Sequence, residues 1–127
     1  MLDNKIFLRA TLAVICCSAF PMIVVGCYFV HIPWNMERLD ISESDLGLAI
    51  LVFGVFFIIS NQFSARFLVP RIGTKIVMSF AMILISFATV LLVTVPNYQL
   101  FLICSIPAGI GWGSSGPIGG IHAQLIE

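Results

Sequence analysis

Formal charges fall in short clusters along this chain, and between them lie long runs of Leu, Ile, Val, Phe and Ala. Residues 10–36 hold no Asp, Glu, Lys or Arg, nor do residues 46–65, and the longest uncharged run is 76–126. A helix needs about 20 apolar residues to cross the hydrocarbon core of a bilayer. The first two runs therefore suit one span each, and the third suits two. Pro96-Asn97-Tyr98-Gln99 divides the third run, since Pro and Asn are turn formers. The pattern predicts spans near 6–31, 45–69, 75–95 and 99–123. Each is expected to be helical, because lipid offers exposed backbone polar groups no partner. The second span has a readable start. Ser42 and Ser44 are candidate N-caps, and Asp45 falls in the first turn, or at the capping-box position if Ser42 caps.

Composition strengthens this reading. Of 127 residues, 60% are hydrophobic and 9% charged, whereas soluble domains run near a quarter charged. A soluble chain this short could not hide so much apolar surface in its own core. The expected fold class is an all-α membrane protein of about four transmembrane helices, with the lipid bilayer as solvent. Net charge is zero, which gives no electrostatic case for a nucleic-acid partner. Cys16, Cys17, Cys27 and Cys104 all sit in apolar runs without zinc-like spacing and read as small packing residues. No nucleophile–base pair, metal cluster or phosphate loop is visible, so neither an enzyme nor a bound cofactor or metal is expected.

Basic residues set the expected orientation. Lys5 and Arg9 open the first span, and Arg66, Arg71 and Lys75 surround the second loop. Arg38 in the first loop stands against Glu37, Asp40, Glu43 and Asp45, and the third loop is uncharged. The positive-inside rule then puts the amino terminus and second loop in the cytoplasm, with Trp34 and Tyr98 at the opposite boundary. The uncharged stretch after Arg9 is too long for a signal-peptide core, and no small-residue cleavage site follows. A multi-pass protein of a bacterial cytoplasmic membrane is expected.

The fourth span is rich in small residues. Gly109 and Gly113 form one GxxxG pair, and Gly116 and Gly120 form another. Such pairs let helix backbones approach closely in lipid. Pro117 removes a backbone donor and is expected to kink the helix, and Gly- and Pro-interrupted spans also expose backbone in transporters. In the second span Gly47, Gly54 and Asn61 recur every seven residues on one face, which favours packing. No acidic residue lies deep in a span, so a proton relay is not assigned to these helices. His122 reads as a polar residue at a cytoplasmic helix end.

The loop Arg66-Phe67-Leu68-Val69-Pro70-Arg71-Ile72-Gly73-Thr74-Lys75 resembles the signature between the second and third helices of the major facilitator superfamily, G-x-L-a-D-R-x-G-R-R. Leu68, Arg71, Gly73 and Lys75 fit; Arg66, Pro70 and Thr74 depart from it. In the family the Asp that Pro70 replaces helps a charge network latch the two halves, so that latch is in doubt here. His31-Ile32-Pro33 and Ser44-Asp45-Leu46-Gly47 look like the first loop of bacterial sugar-type (fucose-permease-like) members. Residues 109–127 resemble their Gly-rich fourth helix, where Gln124 and Glu127 match a polar ending and Gly120 replaces a common Asn.

The resemblance implies two six-helix halves built from three-helix inverted repeats. Residues 1–127 would then be a partial amino-terminal transmembrane domain, the first repeat plus one helix. The implied function is secondary active transport of a small solute by alternating access, with or without a coupling proton or cation. Helices one and four would line the cavity, with Trp112 and Ser115 as candidate contacts, and the remaining helices of the transporter would be partners. Two alternatives compete. A small four-helix multidrug exporter fits the length, but such exporters resemble one another in a Glu of the first span that is absent here. A non-transporting membrane subunit would use the GxxxG pairs for a partner helix.

Overall fold

The computed structural model describes the backbone from Leu2 to Gln124 and the side chains of residues 4–118 and Gly120. The side chains of His122 and Gln124, and all of Glu127, lie outside the described residues, and with them the expectations placed there. The chain forms four long helices: α1 (Leu2–Leu39), α2 (Glu43–Ile72), α3 (Thr74–Thr94) and α4 (Tyr98–Gln124). The first three are long and apolar enough to cross a membrane. The fourth is long enough, but glycines, serines and prolines dilute its hydropathy.

Apolar side chains cover both faces of these helices. On α3, Val77, Met78, Ala81, Ile85, Ala88 and Leu92 are buried in a stripe of three- and four-residue steps. The opposite face carries Ile76, Phe80, Ile83, Phe87 and Val90, all exposed, with Ile83 at 70%. A helix on a soluble core would be polar there. Exposed apolar surface this continuous requires an apolar solvent, and the fold is that of a helical membrane protein.

Hydroxyls inside the spans obey the same constraint. Ser79, Ser86, Thr89 and Ser105 each donate to the carbonyl four residues earlier, at 2.8–3.0 Å. Back-bonding of this kind satisfies a hydroxyl without a partner from another helix. It is how a span tolerates Ser and Thr in lipid.

Helix boundaries differ from the sequence expectation chiefly in α1 and α2. α1 runs well beyond residues 6–31 and carries Pro21 and Pro33 inside it, so His31-Ile32-Pro33 is helix rather than loop. The first turn is only residues 40–42, with Asp40 at φ 51°. The capping box forms as expected. The Ser42 hydroxyl accepts from the Asp45 amide at 3.2 Å, and Asp45 Oδ2 accepts from the Ser42 amide at 3.1 Å.

Near its end α2 contains a π-helical turn, Ser64–Leu68. Pro70 explains its position. A proline ring clashes with the carbonyl four residues back and cannot donate to it, and here that carbonyl belongs to Arg66. The wider π turn, closed by the Val69 amide on the Ser64 carbonyl, relieves the crowding. Gly73 then turns the chain into α3 at φ 83°, ψ 156°.

α4 is the centre of the bundle. Phe101, Cys104, Ser105, Ala108, Gly109, Gly111, Gly113, Ser114, Ser115 and Ile118 are all buried on it, and it packs against both α2 and α3. α1 is the opposite case: among its described residues only Pro21 and Asn35 are buried. The span richest in small residues is thus the most enclosed by protein, and α1 is the least enclosed.

Candidate functional site: a glycine seam and an apolar cavity

Close approach of α4 to its neighbours comes from glycines on two faces. A Cβ on Gly109 would lie 2.5 Å from the Phe53 carbonyl oxygen, and one on Gly113 would overlap the Phe57 carbonyl and lie 3.0 Å from the Asn61 amide nitrogen. These obstacles are backbone atoms of α2. A Cβ on Gly111 would meet α3 instead, 3.1 Å from the Ile85 amide nitrogen. α4 is therefore pinched between two backbones, as small residues permit in lipid.

The two GxxxG pairs differ. Gly109 and Gly113 share α2 as partner. Gly116 would meet only the Asn61 side-chain amide, at 3.2 Å, and Gly120 has open space around it. The heptad stripe on α2 is also only partly a packing face. A Cβ on Gly47 or Gly54 would meet nothing within 4 Å, while Asn61 packs on α4. Sequence periodicity shows which residues share a face but not whether a neighbour covers it.

A polar tie that the sequence did not announce lies within the seam. Ser60 Oγ and Ser114 Oγ are 2.7 Å apart, and both reach the Ile110 carbonyl, at 2.9 and 2.8 Å. Two hydroxyl protons serve three oxygens, so one hydroxyl donates to the other and the second donates to the carbonyl. Interhelical hydrogen bonds of this kind average about 0.6 kcal/mol in membranes, so the tie sets register more than stability. At the other end of the seam, the Tyr98 hydroxyl donates to the Asp45 carbonyl at 2.9 Å. Tyr98, expected only as an interfacial ring, fastens the start of α4 to the start of α2.

Between all four helices lies a cavity of about 120 Å³. Tyr28 lines it from α1, Ala49 and Phe53 from α2, Thr89 from α3, and Ser105 and Trp112 from α4. Trp112 is half-buried on its wall. Ser115, the other candidate, is buried elsewhere: its hydroxyl donates to the Trp112 carbonyl at 2.8 Å, and it is absent from the cavity lining. The structure separates the two residues that the sequence paired.

The loop-motif residues also divide. Leu68 is half-buried against the small core of Val77, Met78 and Ile118, whereas Arg71 and Lys75 are exposed. Lys5, Arg9 and Arg66 are exposed as well. Cys17, Lys75 and Met78 line one hollow, which sets the first half of α1 beside the α2–α3 turn. Gly73 has open space at its Cβ position, yet its backbone angles belong almost only to glycine. Gly73→Ala is expected to cost about 1–3 kcal/mol, read as a lowered unfolding midpoint in detergent.

At the opposite end the Arg38 guanidinium sits 4.6 Å from the centre of the Trp34 ring and donates to Asn35 Oδ1 at 3.2 Å. Asn35 is fully buried. Its other amide atom, Arg38 Nε and the buried Ser64 hydroxyl have no hydrogen-bond partner among the described residues. Nothing in the charge pattern of the first loop pointed to a buried amide there. No group of three or more metal-ligating side chains occurs among the described residues, and Cys16, Cys17, Cys27 and Cys104 are free thiols.

Comparisons with protein-family models, with curated proteins and with solved structures find no match.

Proposed function

We propose that this chain is the first helical repeat and fourth helix of a secondary transporter, and that it forms one wall of a solute path. The observation that carries this reading is the unequal packing of the helices. α4 is locked to α2 and α3 by glycines, while α1 is buried at only two described positions and borders the cavity opposite Trp112. A tightly packed hub beside a cavity is compatible with alternating access, in which one packed bundle rocks against another around a site. The resemblance of the Leu68–Lys75 loop, with its single glycine-only turn, supports the same reading.

The orientation proposed is cytoplasmic for the end bearing Lys5, Arg9, Arg66, Arg71 and Lys75. It places the Arg38–Asn35–Trp34 cluster on the far side of a bacterial cytoplasmic membrane. A small solute, alone or with a coupling ion, and the remaining helices of the transporter are the proposed partners.

Transport is tested in proteoliposomes. Vesicles holding only the 127-residue chain are expected to accumulate no solute from a panel of sugars, organic acids and small aromatics. Saturable uptake by this chain alone would contradict its role as one part of a transporter. In the complete gene product, saturable uptake of at least one solute is expected, and a natural product ending at Glu127 would contradict the reading.

A further inference from the structure

The cavity between the four helices has a chemistry that narrows what can occupy it. Among the described residues, none with a formal charge lines it. Two of its hydroxyls have their protons committed, Thr89 to the Ile85 carbonyl at 2.8 Å and Ser105 to the Phe101 carbonyl at 3.0 Å, which leaves their oxygens as acceptors only. The other polar side chains among its lining residues are Tyr28 and Trp112. The rest is aliphatic and aromatic surface, including Ala49, Phe53 and Leu92.

Size points the same way. Apolar cavities of about 150 Å³ stay dry and bind molecules such as benzene, and this one measures about 120 Å³. A hexose would bring several hydroxyls into a space lined by four polar side chains, two of them able only to accept, and each buried hydroxyl left unpaired opposes binding. We infer that the cavity takes a small, uncharged, largely apolar molecule of about one aromatic ring, at a binding site that, on the transport reading above, belongs to one wall of the solute path. An acceptor atom on that molecule would be met by the Tyr28 hydroxyl or the Trp112 N–H.

The test uses Trp112 as its own reporter. Trp34→Phe removes the only other tryptophan, at an exposed position. With this variant in nanodiscs, bromobenzene is titrated while indole emission is followed. Saturable quenching is expected, as a heavy atom enters a finite site beside the ring. Adding Ala49→Leu, which fills the cavity, is expected to raise the half-quenching concentration at least 10-fold. Tyr28→Phe, a milder change, is expected to leave bromobenzene binding within about 2-fold while weakening 4-bromoanisole, whose ether oxygen loses a donor. Glucose is expected to leave the titration unchanged.

Quenching that rises linearly and equally in the Trp34→Phe and Ala49→Leu backgrounds would show partition into lipid alone and overturn the assignment. Saturable protection of Trp112 by glucose would overturn it in favour of a sugar. The two readings fail separately. Saturable bromobenzene binding without uptake by the complete gene product sinks transport only, whereas uptake of solutes with linear quenching sinks the ligand class only.

Discussion

Replacing Gly113 with Leu is expected to split α4 from α2 and cost about 3 kcal/mol or more. The cost is high because the space a side chain needs there is held by the Phe57 carbonyl and the Asn61 amide nitrogen. Those atoms belong to the α2 backbone, and no rotamer change moves them. Relief requires α4 to move away, and that motion also opens the Ser60–Ser114 contact of 2.7 Å. Gly120→Leu is the control, since nothing lies within 4 Å of a Cβ at that site. Leucine is about 1 kcal/mol better than glycine in a helix interior, so this control should be neutral or stabilising. Unfolding titrations in mixed micelles distinguish the two. Equal destabilisation by both would mean that the helix does not tolerate side chains in general and that the seam is not special.

Phe101→Ala is expected to cost about 2–4 kcal/mol, chiefly through the cavity it leaves. Phe101 is fully buried at the start of α4, in a cluster with Ala49, Ala88, Leu92, Val95, Cys104 and Ala108. In a bilayer the unfolded reference state is still dissolved in hydrocarbon, so the transfer term that dominates in water is largely absent. What remains is lost dispersion contact around the void. Three of the neighbours are alanines, which have no longer side chain to swing into the space. Phe87→Ala, on the exposed face of α3, is expected to change stability far less. A comparable loss at both positions would show that the cluster around Phe101 is not a packed core.

The charge gaps of the sequence located the four helices within a few residues where a turn signal was sharp. Pro96-Asn97 ended α3, and Ser42 capped α2. One proline misled in the other direction. Pro33, read as part of the first loop, lies inside continuous helix. A freed carbonyl in a span can be re-satisfied by neighbouring groups, so proline is a weaker stop signal in a bilayer than in water. The π turn before Pro70 shows the same tolerance, paid for by a local widening rather than a break.

Site residues were legible in kind but not in partner. Gly109 and Gly113 were marked for close packing, and a Cβ at either would meet the α2 backbone. Gly116 and Gly120 carry the same spacing and largely lack it. Trp112 faces the cavity and Ser115 does not, since a serine in a span finds its acceptor on its own helix first. The Ser60–Ser114 tie and the burial of Asn35 depend on which helices touch, which a single sequence does not encode locally.

The central claim is that bilayer lipid is the solvent for these apolar faces. Sedimentation of the purified chain with its detergent removed tests it most directly. The chain is expected to aggregate and pellet in plain buffer, and to sediment as a folded helical species once detergent or nanodiscs are restored. A monomeric, helical, cooperatively unfolding species in buffer alone would contradict the membrane assignment and everything built on it.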